Sequence, residues 1–194
     1  MSSSREKILA LVRENMPEAV SHPEISFEKQ TFDSPVERFC EVIEAVGGIA
    51  RVVKNDANLQ EFSKISENDK VISSLTSIKD QNIERDKILS AHDMKDIDYC
   101  CFHTDLAVAE NGSFLTHCED FPYRSVYFLA QHLIVTVKAE AIKNNMHEAY
   151  EEFSRMKRGE FTVFISGPSK TADIEQCLVI GAHGARSLQV FIIE

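Results

Sequence analysis

The apolar positions near the start of the chain have helical spacing. Within residues 3–16 they recur at intervals of three or four, which is typical of one face of an amphipathic helix. The apolar residues of that face are Ile8, Leu9, Val12 and Met16. Ser3 followed by Glu6 matches a capping box, and Pro17 ends the pattern. The polar stretch after it contains turn formers, so we predict a helical arm and a connecting loop over residues 1–33.

A second helix begins after Ser34, an N-cap residue that is followed by Pro35 at the first helical position and Glu37 in the first turn. Two glycines end this helix, because glycine is the usual residue just past the last helical turn. Its apolar face consists of Phe39, Val42, Ile43 and Val46. We therefore place the start of the main domain here and assign it residues 34–194.

Short apolar runs then alternate with helical segments. Predicted strands cover residues 49–53, 71–75, 106–109, 114–116, 126–129, 133–137, 161–165, 178–180 and 188–193. Predicted helices cover residues 58–67 and 139–156. This alternation indicates an α/β fold with an open, mostly parallel sheet and flanking helices. In such sheets ligands bind beyond the carboxyl ends of the strands, and the polar motifs of this chain follow predicted strands.

Acidic residues outnumber basic ones. The chain has 31 Asp and Glu against 21 Lys and Arg, a formal net charge of −10. That field repels phosphate backbones and anionic lipids, so we expect neither a nucleic acid nor a membrane surface as a partner. No apolar run approaches the roughly 18 residues that span a bilayer, and the first residues lead into a charged helix, so we expect a cytoplasmic protein. Whether the arm folds back or contacts a second subunit of a homo-oligomer stays open.

The cysteines and histidines do not have metal-ligand spacing. The five cysteines are Cys40, Cys100, Cys101, Cys118 and Cys177. They include no CxxC pair, and the seven histidines form neither an HxH nor an HExxH motif. Iron–sulfur, flavin and nicotinamide motifs are also missing from the sequence. We therefore expect free thiols, no metal site and no cofactor on this chain.

The densest polar motif is Ser-Gly-Pro-Ser-Lys-Thr-Ala-Asp-Ile-Glu at residues 166–175. It is not a P-loop, because the Walker pattern needs glycine where Ser169 and Phe164 stand. A Gly-Pro turn at a strand end can direct backbone N–H groups, hydroxyls and an ammonium group at one small anion. The candidate ligand-binding residues are Ser166, Gly167, Ser169, Lys170, Thr171 and Asp173. A solvent-exposed turn whose hydroxyls cap the next segment is the alternative.

A second glycine-bearing turn follows the next predicted strand. In it Gly181 and Gly184 flank His183, and Arg186 comes close behind. Glycine allows close backbone approach to a ligand, and histidine can change its charge near neutral pH. A lone histidine is more often a structural group, but two such turns after neighbouring strands favour one shared pocket. We therefore add these residues to the candidate site, with His183 as a candidate catalytic group.

Glu110 lies in a third motif, Ala-Glu-Asn-Gly-Ser. An Asn-Gly pair between apolar runs predicts a hairpin turn, which explains Asn111 and Gly112 structurally. An acid at the end of an apolar strand is costly unless it is paired, exposed or functional, so Glu110 is a second candidate catalytic residue.

Together the three motifs resemble the LUD-domain family of lactate-utilisation proteins (LutC/YkgG type), over residues 35–194. The fold of that family is similar to that of the NagB/RpiA/CoA-transferase-like superfamily. The resemblance implies an accessory or subunit protein that acts with iron–sulfur partners in the oxidation of L-lactate to pyruvate. It places the iron–sulfur clusters on the partners and a small carboxylate or phosphate-bearing ligand on this chain, as a non-redox subunit. Asn111 departs from the common family pattern, in which Thr is frequent, and so does Ala185, where Pro is frequent.

The departure at Asn111 supports an alternative function. It makes residues 110–112 similar to the Glu-Asn-Gly motif of CoA transferases, in which the glutamate is the nucleophile. A CoA transferase or sugar-phosphate isomerase-like enzyme that uses Glu110 is therefore the alternative, and a structural or regulatory binding module is a third. A catalytic Glu110 should share a pocket with Lys170 and His183, whereas a structural one should face a backbone turn.

Overall fold

The computed structural model describes residues 3–18, 20–21, 28–56, 59–84, 87–88, 90–117, 120–121, 123–156, 162–171, 179–181 and 183–194. The described helices are α1 (Ser4–Glu14), α2 (Pro35–Ala45), α3 (Leu59–Ser63), α4 (Val126–Leu129) and α5 (Met146–Arg155). The strands are β1 (Ile49–Val53), β2 (Val71–Ser73), β3 (Tyr99–Thr104), β4 (Ala107–Val108), β5 (Ser113–His117), β6 (His132–Lys138), β7 (Ile142–Lys143), β8 (Thr162–Ser166), β9 (Lys170–Thr171), β10 (Val179–Ile180) and β11 (Ser187–Ile193). Two short 3-10 helices cover Ala91–Met94 and Ala139–Ala141.

The main sheet has five strands in the order β1-β11-β6-β3-β2, and every pairing in it is parallel. Residues 133–137 of the central strand β6 are all buried, which is typical of a parallel strand that is covered on both faces. The predicted α/β fold with a mostly parallel sheet and flanking helices is confirmed.

A second, mixed sheet has the order β7-β4-β5-β8. Its β4 and β5 form the hairpin that the Asn-Gly pair predicts, with Ala107 opposite Phe114. The left-handed φ of +66° at Gly112 closes the turn.

The largest apolar core contains side chains from both sheets and from α2. Phe39 and Ile43 of α2 are fully buried there, together with Phe102 of the parallel sheet and Phe114 of the mixed sheet. A smaller cluster around Leu59 packs α3 against the parallel sheet. A third cluster packs α5 against the mixed sheet. The ends of strands from the two sheets can therefore meet and share a site.

The arm begins with α1, which has the predicted capping box but no buried residue. The chain makes defined contacts with the domain at residues 29–32. The backbone N–H of Phe32 donates to Asn144 Oδ1 at 2.9 Å, and Asn145 Nδ2 donates to the carbonyl of Gln30 at 2.8 Å. No described helix is both long and apolar enough to cross a membrane.

The segment that the sequence predicts as a strand at residues 126–129 is the helix α4. Adjacent residues of a strand point to opposite faces, but Val126 and Tyr127 are both buried, whereas Phe128 and Leu129 are both partly exposed. The Tyr127 ring contacts Phe102 at a centroid distance of 4.8 Å. Packing of this side chain therefore decides the local structure.

The helix predicted at residues 139–156 begins later, at Met146. The Asn145 side chain caps it by accepting the N–H of Glu148 at 3.0 Å. Before that cap, Ile142 pairs with Ala107 in the mixed sheet. The strand β3 was not predicted, and it lies between β6 and β2 in the parallel sheet.

Candidate functional site

The turn after β8 packs against the end of α2. A Cβ on Gly167 would lie 2.8 Å from Cγ2 of Val46, the residue that caps α2, and Gly167 has a φ of +71°. Only glycine meets both conditions without strain. On one side of this glycine, the Ser166 hydroxyl donates to the carbonyl of Asn111 at 2.7 Å. The turn is therefore tied to α2 and to the β4–β5 hairpin.

The two glycine-bearing turns meet, as the sequence predicts. The N–H of Ser169 donates to the carbonyl of Ala185 at 2.8 Å, and the N–H of Gly181 donates to the carbonyl of Ser169 at 3.0 Å. The strands β9 and β10 pair antiparallel, with Lys170 opposite Ile180. Gly184 lies so close that an added Cβ would be 3.0 Å from the Cβ of Ser169.

A first cavity of about 430 Å³ opens between these turns, α2 and α4. Its polar wall contains the side chains of Ser166, Ser169, Lys170 and His183, and its apolar wall includes Tyr127 and Phe128. The described residues that line it are Val46, Tyr127, Phe128, Leu133, Ile165, Ser166, Gly167, Pro168, Ser169, Lys170, His183, Gly184 and Ala185.

A second cavity of about 470 Å³ lies beside the first, and Phe128, His183 and Gly184 line both. Two of the predicted site residues, Gly181 and Arg186, line only this second cavity. The described lining residues that no sequence motif identified are Lys95, Phe128, Leu129 and Gln131. These come from a 3-10 helix end and from the end of α4, neither of which has a motif or a periodic pattern that could have identified them.

Both cavities lie at the amino ends of the parallel strands. The lining residue Leu133 is near the start of β6, and Ala185 comes just before β11. The expectation of a ligand crevice at the carboxyl ends of the parallel sheet is therefore wrong for these motifs. The Ser-Gly-Pro-Ser turn does follow a strand end, but β8 belongs to the mixed sheet.

The described lining of the two cavities is cationic. Lys170 lines the first cavity, and Lys95 and Arg186 line the second, whereas no described lining residue is Asp or Glu. The Lys170 Nζ lies 3.8 Å from where a Cβ on Gly47 would be, close to the carboxyl end of α2. A helix carboxyl end carries partial negative charge, which favours a cation there.

The histidine next to the second cavity is held neutral. Burial lowers the pKa of His132, the Asp98 carboxylate opposes that shift, and the Arg186 charge lowers the pKa further. Its Nδ1 lies 2.8 Å from the Ser187 hydroxyl. His132 therefore adds no positive charge beside Arg186 near neutral pH.

Two predicted site residues, Glu110 and Thr171, are absent from the described lining of both cavities. The Glu110 carboxylate accepts the backbone N–H of Met146, the first residue of α5, at 3.1 Å. Thr171 is in β9. Asp173 lies outside the described residues. Among those residues, no group of three or more His, Cys, Asp or Glu side chains is arranged to hold a metal ion.

The family model of the LUD domain matches residues 81–193, which is more than half of the chain. Several curated relatives are named "Lactate utilization protein C". The one from Bacillus pumilus is 33% identical over 91 residues, which are 44% of this chain and 38% of the relative. The one from Shouchella clausii is 34% identical over 86 residues, 42% of this chain and 37% of the relative. The chain thus spans about two fifths of the length of the curated relatives it matches.

A solved structure is also similar, a DUF162 family protein from Deinococcus radiodurans. The two structures superpose with a TM-score of 0.61 and 17% identity, over 82% of this chain and 96% of that one. At this identity the likeness concerns the fold, and it agrees with the parallel sheet and flanking helices described above.

Proposed function

The chain belongs to the LUD domain family, and from that premise we propose that it is a non-redox subunit of a lactate-utilisation system. Its task is to bind a small anionic ligand, a carboxylate or a phosphate-bearing molecule, in the first cavity. One observation carries the proposal: the two glycine-bearing turns bring Ser169, Lys170 and His183 to one cavity whose described lining holds no carboxylate.

The hydrogen-bond donors of the cavity can be assigned different tasks. The Ser166 hydroxyl already donates to Asn111, so it holds the turn rather than the ligand. The side chains of Ser169 and Lys170 have no hydrogen-bond or ion-pair partner among the described residues. A carboxylate in the cavity can therefore accept from the Ser169 hydroxyl and form a charge-assisted hydrogen bond with the Lys170 ammonium.

The redox step belongs to partner proteins in this proposal. Oxidation of L-lactate to pyruvate removes two electrons and two protons, and the family resemblance implies that iron–sulfur partners take up the electrons. The Cα–H bond of lactate breaks, and its hydrogen passes with the electron pair to an acceptor on the partner. The O–H bond breaks as well, and its proton passes to the imidazole of His183. We assign it that role when a partner supplies the electron acceptor.

The position of Glu110 does not favour the CoA-transferase alternative. That function needs the Glu110 carboxylate in the cavity with Lys170 and His183. The carboxylate is instead bonded to the first backbone N–H of α5, where a negative charge stabilises the helix. We assign Glu110 a structural role.

The first test is ligand binding by titration calorimetry with lactate, pyruvate, phosphate and CoA. Lys170→Met should weaken the binding of the anion that binds by about tenfold or more, because a charge-assisted hydrogen bond is lost. Lys138→Met is the matched control, since Lys138 is at the opposite end of β6 from the cavities. Equal affinities of the wild type and Lys170→Met would show that Lys170 does not bind the ligand.

The second test is lactate-dependent reduction of a dye, with and without candidate iron–sulfur partner proteins. We expect reduction only in the complete mixture, and we expect His183→Gln to lower the rate more than it lowers ligand affinity. Reduction by the chain alone would contradict the assignment of the redox centre to a partner.

A further inference from the structure

We infer that the two cavities form one groove and that its ligand carries two anionic groups, carboxylate or phosphate, joined by an apolar segment. One anionic group binds at Lys170 and the other at Arg186 and Lys95. This inference rests on the proposed function for the Lys170 end, and it adds a second subsite at the Arg186 end.

The continuity of the groove follows from the residues that the two cavities share. Phe128, His183 and Gly184 line both. Phe128 is 40% exposed although it is a large aromatic side chain next to a buried core. A partly exposed ring between two cationic ends provides an apolar surface for the middle of a ligand.

The size of the groove exceeds what a three-carbon acid needs. At roughly the 30 Å³ that one water molecule occupies in the liquid, the six non-hydrogen atoms of lactate fill at most about 180 Å³. The first cavity alone has a volume of about 430 Å³, and the second has about 470 Å³. A ligand that spans both cavities uses this volume, whereas a single small acid leaves most of it to water.

The arrangement of Arg186 depends on a glycine. A Cβ on Gly181 would clash with the side chain of Arg186, because it would overlap with Cγ and would lie 3.1 Å from Cα of that residue. Gly181 also has a φ of +74°. The backbone N–H of Arg186 donates to the carbonyl of Gln131 at 2.7 Å, which holds the Arg186 backbone next to the residue before β6. Arg186 can therefore pack directly over residue 181 only because that residue is glycine and has no side chain.

The charges of the groove contrast with those of the whole chain. The chain has a net charge of −10, yet Lys95, Lys170 and Arg186 line the groove and have no ion-pair partner in the described part of the molecule. Lysines elsewhere on the domain, such as Lys87 and Lys143, form ion pairs with glutamates. Unpaired cations at both ends are suited to a ligand that is anionic at both ends.

The test compares ligands of equal length with one and two charges. Linear dicarboxylates from succinate to suberate, and the matching phosphonocarboxylates, are titrated against monocarboxylates with the same number of carbons. We expect at least one dianion to bind tenfold or more tightly than its matched monoanion, because the second group binds intramolecularly. Arg186→Gln should remove that advantage, Arg186→Lys should keep part of it, and Lys138→Gln should keep all of it.

Two results would overturn the two-anion groove: no dianion of either series binds more than threefold more tightly than its monoanion, or Arg186→Gln leaves the advantage unchanged. Absence of dianion binding up to 10 mM counts as the first result. Failure of the proposed function is distinguishable, because it appears as unchanged monoanion affinity in Lys170→Met. The circular dichroism spectrum of each variant confirms that it is folded.

Discussion

Gly167 determines how closely the ligand-binding turn approaches α2. An alanine here would have to adopt a φ of +71° and place its Cβ 2.8 Å from Cγ2 of Val46. Each of these conditions is costly, so we expect Gly167→Ala to lower the free energy of unfolding by about 1–3 kcal/mol, measured by urea denaturation. The Lys138→Met variant is the control, because Lys138 is exposed and its only ion pair among the described residues is an exposed one, so its loss should change stability by no more than about 0.5 kcal/mol. Equal stability of Gly167→Ala and the wild type would show that the turn can move away from α2.

Glu110 is the residue at which the structural and catalytic interpretations differ most. Its carboxylate accepts the N–H of Met146 at the start of α5, so Glu110→Gln keeps the size of the side chain but removes the charge from the helix terminus. We expect a loss of about 1 kcal/mol in the free energy of unfolding and no change in anion affinity. A covalent adduct on Glu110 after incubation with acetyl-CoA, detected by mass spectrometry, would reverse this assignment.

The two turns that line the cavities could be recognised from short motifs, because each contains glycines next to polar residues. Gly167 and Gly181 have left-handed φ angles, which glycine adopts without strain. Lys95 and Gln131 could not be predicted in this way. Lys95 precedes β3 and Gln131 precedes β6, and the parallel pairing of β3, β6 and β11 brings the starts of these strands together.

At the level of elements, the strand β3 was not predicted because its sequence lacks the alternation of apolar and polar residues. Its Cys100, Cys101 and Phe102 are all fully buried, so the strand lacks the alternation that identifies a half-exposed one. The opposite error occurred at α4, where four apolar residues predicted a strand. There the burial of Tyr127, whose hydroxyl donates to the carbonyl of His117 at 2.5 Å, decides the local structure.

The thiols of β3 give the domain a measurable pH dependence. Burial raises the pKa of Cys101 from 9.0 to about 12, and it raises the pKa of Cys100 as well. In the unfolded chain these thiols ionise near pH 9, while in the folded chain they stay protonated. Their stabilising contribution is therefore fully present below pH 9 and is lost as the pH rises toward 12.

We expect the free energy of unfolding of the reduced protein to fall between pH 8 and pH 10. Cys101→Ala should be less stable at both values because it leaves a cavity, but its decrease should be smaller than that of the wild type by about 1 kcal/mol. Urea denaturation at the two pH values measures this difference. Equal decreases in the two proteins would mean that Cys101 ionises in the folded state as readily as in the unfolded chain.

At the scale of the whole molecule, residues 29–32 of the arm contact the domain. The predicted division at residues 33 and 34 follows the start of α2, and in the described part of the arm Lys29 pairs with Glu151. The Phe32 side chain packs against the main core, and the Arg38 guanidinium lies 5.3 Å from the centre of its ring. Residues 29–32 therefore contact the domain although they precede the helix start signal at Ser34.

These contacts predict different effects for two truncations. Removal of residues 1–16 deletes α1, whose apolar residues Ile8 and Val12 are 61% and 55% exposed, so the free energy of unfolding should change by no more than about 0.5 kcal/mol. Removal of residues 1–33 also deletes two hydrogen-bond partners of the domain. The buried Asn145 amide loses the carbonyl of Gln30, and the side-chain oxygen of Asn144 loses the backbone N–H of Phe32. Because Asn144 and Asn145 each lose a hydrogen bond and the Phe32 side chain is lost from the main core, this removal should cost about 2 kcal/mol or more. Urea denaturation of both truncated proteins tests this, and an equal loss in the two would place stabilising contacts in α1.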